Sequence, residues 1–160
     1  MNARASLSCL ALALTSLLVY ANAVRNPYLW DDVAQIQDNA ALRDAANIAR
    51  LASGNYYDIA AEDSLRPVKI LSLFASQAAF GPSPAAQRLV NVSLHAANAM
   101  LVYSLGATWI GAGPALGGAL LFALHPVHAE TIDCVSYRDE LLACLFGLLC
   151  LWLLRRKRPG

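Results

Sequence analysis

Residues capable of chemistry gather at the ends of apolar runs in this 160-residue chain. Trp30-Asp31-Asp32 lies a few residues past the first run, and Arg66-Pro67 opens a short apolar segment. His125, His128, Glu130, Arg138 and Asp139 sit around the turn between the last two runs. Asn91, His95 and Asn98 recur at i, i+4 and i+7 inside another run. Ionisable groups at a membrane boundary are costly, so their presence is a default sign of function. Each also has a plainer reading. Asp31 and Asp32 can open a solvated loop, and Arg66 can pair with Asp63 or Glu62. Arg138 and Asp139 can trim a helix end, and the Asn91–His95–Asn98 stripe can join one helix to another. His125, His128 and Glu130 leave a divalent metal open. Two histidines three apart reach one ion from a helix, but Pro126 disfavours a regular helix through both. No cofactor is otherwise expected, and no metal ligand is assigned.

Composition sets the solvent for these groups. Hydrophobic residues make up 58% of the chain and charged residues 14%, with a mean hydropathy of +0.44. A soluble domain carries roughly 25% charge, so the deficit points to lipid. A net charge of +1 and the lack of a basic stripe with interleaved aromatics argue against a nucleic-acid partner. Cys9, Cys134, Cys144 and Cys150 lie in or beside apolar runs with no CxxC pair. They read as small buried residues, without a disulfide framework or a thiolate zinc site.

The fold class is all-α: a polytopic bundle of about four membrane spans, near 5–24, 87–105, 107–124 and 135–154. Residues 5–24 are long enough to cross a bilayer core. Ala21-Asn22-Ala23 also allows a cleaved signal peptide, and either reading sends Arg25 onward to the far side. The 25–86 segment is the most polar and is expected as an outer loop with two short helices. One covers 40–52, capped by Asp38 or Asn39, ended by Ser53-Gly54, with Arg43, Asn47 and Arg50 on its polar face. The other runs from Pro67 to Phe80. At ~21 Å it is too short to span, and Lys69, Ser72 and Ser76 mark a polar side for an interfacial position. Gly113 and Gly117 form a GxxxG pattern, suited to close helix packing. Asn91-Val92-Ser93 matches a glycosylation sequon by chance.

The basic cluster at 155–158, together with Arg4, places both termini on the cytoplasmic side. The 25–86 loop and the 125–139 turn then share the outer face, which makes this an integral membrane protein. A bacterial inner membrane is the preferred location; an endoplasmic reticulum membrane has the same sidedness. Arg25, Arg43, Arg50, Arg66, Lys69 and Arg88 fall outside, as a long translocated loop tolerates.

The ordered motifs Tyr28-Leu29-Trp30-Asp31-Asp32, Leu65-Arg66-Pro67-Val68, Arg88 to His95, Leu121 to Glu130 and Tyr137 to Leu142 resemble the amino-terminal part of a family. That family is the TMTC-like O-mannosyltransferases with tetratricopeptide repeats, within the GT-C glycosyltransferases. The resemblance implies transfer of a sugar, mannose above all, from a polyprenyl-phosphate donor to a protein or glycan hydroxyl on the outer face. It implies Asp31 or Asp32 as base and Arg66 or Arg138 as the cation for the departing phosphate. His125, His128 and Glu130 would line the pocket, with Asn91 and His95 as further binding residues. Membrane lipids are partners in any case. Family members carry more spans and a repeat domain, so the chain is expected to be truncated, a remnant, or one piece of a split enzyme joined by a second chain. Two other readings remain: a non-catalytic four-helix assembly partner, and a small transporter subunit resting on the Asn91–His95–Asn98 stripe.

Overall fold

The computed structural model describes residues 3–52 and 55–156. Ser53-Gly54, Lys157 and Arg158, and the side chains of Arg4 and Arg156, lie outside the described residues. The described chain is helical, with α1 (Ala3–Val19), α2 (Asn47–Arg50), α3 (Tyr56–Ala60), α4 (Pro67–Phe80), α5 (Pro84–Ile110), α6 (Ala112–Leu124), α7 (His128–Asp133) and α8 (Arg138–Arg156). Short 3₁₀ or π turns cover Ala23–Arg25, Val33–Gln37, Ala40–Arg43 and Val135–Tyr137.

The central helix is α5, which packs against α1, α6 and α8. It starts at Pro84, in a favoured first-turn position, and the Ser83 hydroxyl caps it by accepting from the Ala86 N–H at 3.2 Å. It ends at Gly111, whose φ of +85° suits a residue without a Cβ and turns the chain directly into α6. The connection between these two helices is therefore at Gly111 rather than near residue 106, and α6 has 13 residues. That is ~20 Å of helix. Among the described helices, α5 alone is both long and apolar enough to cross a membrane. The 19-residue α8 is charged at both ends.

The α5–α6 contact uses alanines, not the GxxxG glycines. Ala115, Ala119 and Ala123 are buried with Ala99, Tyr103 and Leu12. A Cβ added at Gly113, Gly117 or Gly118 meets nothing within 4 Å, whereas one on Gly106 would sit 3.2 Å from Ala115 Cβ. The close approach thus lies one helix face away from the sequence motif. Large apolar side chains such as Leu10, Leu14, Leu18, Leu121, Phe146 and Leu153 remain exposed on the outside of α1, α6 and α8.

The 25–86 segment has a core of its own. Tyr28, Ile36, Leu42, Tyr56, Ile59, Ile70, Leu73 and Phe74 are buried together with Val135. The continuous helix expected over 40–52 is broken. Asn39 caps its start as expected, accepting from the Ala41 N–H at 3.1 Å. Asp44 is then extended and accepts from the Ala46 N–H at 3.0 Å, which restarts the chain. Asn47 turns inward to donate to the Ala41 carbonyl. α4 forms over the expected residues, but its polar side faces the protein: Lys69 and Ser76 are buried, while Val68 and Leu71 are exposed.

Candidate active site

Asp31 and Asp32 are adjacent in sequence and have opposite environments. Asp32 is fully buried. Its Oδ2 accepts from the Val135 N–H at 3.0 Å and its Oδ1 from the Ser136 N–H at 2.7 Å. Both oxygens are thus used to cap the turn that leads into α8. Asp31 is exposed and lines an open cleft of about 620 Å³ with Gln35, Glu62, Asp63, Arg66 and Tyr137. Between two anchors, the Tyr28 hydroxyl donating to the Pro82 carbonyl at 2.6 Å and the Asp32 cap, Trp30 takes a left-handed φ of +43° and is 71% exposed. Such a conformation costs a bulky residue on the order of 1–3 kcal/mol and gathers at functional sites.

Glu62 and Gln35 of the cleft belong to a charged network. Lys69, fully buried, pairs with Glu62 and donates to Gln35 Oε1 at 3.1 Å. The Tyr56 hydroxyl donates to Glu62 Oε1 at 3.0 Å and accepts from the Arg66 N–H at 2.7 Å. Burial pushes the Tyr56 phenol up to about 12, so it stays protonated and keeps donating. This network fixes the backbone at Arg66, whose side chain reaches Asp139 at 3.2 Å instead of Glu62 or Asp63. Arg66 lines the polar cleft. With Asp139 it also heads a second, more apolar groove of about 290 Å³ walled by Val68, Leu142, Ala143 and Phe146.

Four sequence candidates turn inward and hold helices together. Arg138 is fully buried and all its N–H groups are engaged: Nε with Asn91 Oδ1, Nη1 with Ser76 Oγ and the Ser72 carbonyl, Nη2 with the Gln87 carbonyl and Oε1. With no free donor, it ties α4, α5 and α8 rather than presenting a cation to a phosphate. Asn91 also approaches the carbonyls of Thr131, Ile132 and Cys134, and Asn98 donates to the Leu141 carbonyl at 3.0 Å. His95 Nε2 lies 3.1 Å from the Ala123 carbonyl, with its ring between Tyr20 and Phe122. Asn91, His95 and Asn98 thus each make a contact from α5 to a neighbouring segment.

His125 and Glu130 are exposed, and His128 is half-buried against His95 and Phe122. Burial and the neighbouring His125 lower the His128 pKa. Among the described residues no three His, Cys, Asp or Glu side chains converge on a point where a metal ion could sit. His125 precedes α7, whereas His128 and Glu130 lie within its first turn. Arg88, absent from the candidate set, is buried and binds the carbonyls of Asn26, Pro27 and Asp133. Asn26 in turn donates to Asp133. Arg88 locks the approach to Asp31 onto the α7–α8 connection. Its signal in the sequence is a lone arginine in the first turns of an apolar helix.

Drosophila melanogaster Tmtc1, a protein O-mannosyl-transferase, is 31% identical over 155 residues, covering 92% of this chain and 18% of that protein. Mouse TMTC1 is 33% identical over 146 residues, 86% of this chain and 16% of its own length. Human TMTC2 is 31% identical over 141 residues, 84% of this chain and 17% of its own. The chain is a relative of the TMTC protein O-mannosyl-transferases. It spans less than a fifth of the length of these TMTC proteins. No family model and no solved structure matches it. Within this TMTC-like chain, Asp31 and Arg66 are the two expected catalytic or binding residues that share an open cleft.

Proposed function

We propose that this chain forms the acceptor-activating part of a GT-C-type site that moves mannose from a polyprenyl phosphate to a hydroxyl on the outer face of a bacterial inner membrane. The single observation that carries this reading is the position of Arg66, at once in the polar cleft of Asp31 and at the head of the apolar groove. A lipid phosphate needs a cation at the aqueous boundary and an apolar path beside it. The exposed apolar faces of α1, α6 and α8 support the four-span arrangement. The tie of α8 to the far end of α5, where Arg155 donates to the Thr108 carbonyl, supports cytoplasmic termini.

In this mechanism the Asp31 carboxylate takes the proton of the acceptor hydroxyl. The oxygen attacks the anomeric carbon from the side opposite the phosphate. The carbon–oxygen bond to phosphate breaks, the polyprenyl phosphate leaves with the electron pair, and the configuration inverts. Arg66 stabilises the charge that grows on the departing phosphate. Asp32 keeps Asp31 in place.

The test is sugar transfer from a mannosyl polyprenyl phosphate in membranes containing the protein. Arg66→Ala should lose at least 10²-fold in rate. An unchanged rate would remove Arg66 from the site. Transfer absent from the unmodified protein would favour the assembly-partner reading.

A further inference from the structure

The side chains of α4 are sorted in the order opposite to that of a helix facing water. Lys69, Ser76 and Gln77 are buried. After Pro67, every residue that α4 leaves exposed is apolar: Val68, Leu71, Ala75, Ala78, Ala79 and Phe80. A water-facing helix turns its polar stripe outward. A contiguous exposed apolar face marks contact with a membrane or with another protein.

A groove beside this face favours a lipid. It has a volume of about 410 Å³ and lies between α4 and residues 42–48, with Leu42, Ile48, Leu71, Phe74 and Pro82 among its walls. Leu71, Ala75 and Ala78 belong both to the groove and to the exposed face, so the groove opens on that face. Among the described residues that line it, Arg43 alone is charged. The Arg43 side chain is exposed, and its Nη2 donates to the Gln37 carbonyl at 2.8 Å. Arg43 forms no ion pair among the described residues, so the rest of its fork is available to an oxyanion. An apolar slot with a lone exposed cation matches a molecule with a hydrocarbon chain and an anionic head.

We propose that this groove binds an acyl chain of an anionic glycerophospholipid from the surrounding bilayer, with the headgroup phosphate on Arg43. The groove shares no lining residue with the Asp31 cleft or the Arg66 groove. The lipid is therefore a holding partner and not a substrate, and the inference stands whether or not the chain transfers a sugar. Ile70, Leu73 and Phe74 tie α4 to the core of the 25–86 segment, so a lipid held against α4 sets that segment at the depth of the headgroups.

The experiment measures lipid binding to the purified full chain by native mass spectrometry from detergent. The probes are phosphatidylglycerol, phosphatidylcholine and diacylglycerol with the same acyl chains. Phosphatidylglycerol should bind about tenfold more tightly than diacylglycerol, the size of one hydrogen-bonded charge contact, with phosphatidylcholine between them. Arg43→Gln should bring phosphatidylglycerol down to the level of diacylglycerol. Arg25 is exposed and lies outside the groove, so Arg25→Gln should leave the preference intact. Ala78→Phe, which fills the groove from an exposed position, should weaken all three probes. Wild-type protein without the preference, or an equal loss in Arg25→Gln and Arg43→Gln, overturns the site. Binding that Ala78→Phe leaves unchanged removes the lipid from the groove. A wild-type dimer that Ala78→Phe dissociates gives the groove to a second copy and overturns the lipid as its occupant.

Discussion

Asp32 and Ser136, 104 positions apart, are joined by a 2.7 Å hydrogen bond from the Ser136 backbone N–H to Asp32 Oδ1. With the Val135 N–H on the other oxygen, this bond fastens the start of the outer segment to the start of α8. It fixes which of two neighbouring carboxylates is free. Asp32→Ala should lower stability in detergent by about 1–3 kcal/mol, the cost of leaving buried donors unpaired. Thermal unfolding followed by circular dichroism reads this, and an unchanged midpoint would dismiss the cap.

Arg138 should be irreplaceable by lysine. Its planar fork serves partners on α4 and α5 at once, and an ammonium offers three donors without that geometry. Arg138→Lys should therefore destabilise by at least ~2 kcal/mol. It should not change the ratio of affinities for mannosyl and bare polyprenyl phosphate. A selective loss of phosphate binding in a fully stable Arg138→Lys protein would restore it as a phosphate ligand.

Glycine substitutions locate the α5–α6 seam. Gly106→Leu has no room beside Ala115 and should cost about 1–3 kcal/mol by overpacking. Gly117→Ala faces open space and should be neutral, or stabilising by up to ~1 kcal/mol through helix propensity. The reverse order in thermal midpoints would return the seam to the GxxxG face.

His128 makes stability depend on pH. Its pKa in the folded protein lies below the ordinary value of about 6.5, because burial and His125 disfavour the imidazolium. Between the lowered folded value and ~6.5 the unfolded chain binds more protons, so stability rises with pH there. The contribution is complete above ~6.5 and is lost as pH falls toward the folded value. The unfolding midpoint should drop between pH 7 and 5, with a smaller drop in His128→Phe. Equal drops in the two proteins would assign the effect elsewhere.

Several elements were legible from residue pattern alone. Pro67 at the head and Gly81 at the tail bound α4 at its observed limits, and Asn39 caps the turn that follows it. The relation to the TMTC proteins was readable from ordered motifs, each weak alone. Local pattern does not say which polar groups pair. Lys69 and Ser76 look like a wet face until Glu62, Gln87 and Arg138 are brought against them. The 40–52 segment has helical periodicity, but Asp44 and Asn47 satisfy their backbone partners by breaking it. Asp31 and Asp32 are identical in type, and a contact more than a hundred residues away separates their roles.

The central claim is that Asp31 is the base and Asp32 its support. Its most direct test compares mannosyl transfer by Asp31→Asn and Asp32→Asn proteins in the same membranes, with unfolding midpoints measured in parallel. Asp31→Asn should fold like the parent and lose about 10²–10⁴-fold in rate, as expected for removal of a general base. Asp32→Asn should lose stability first, with a smaller loss of rate per folded molecule. Parental activity in a folded Asp31→Asn protein would contradict the account.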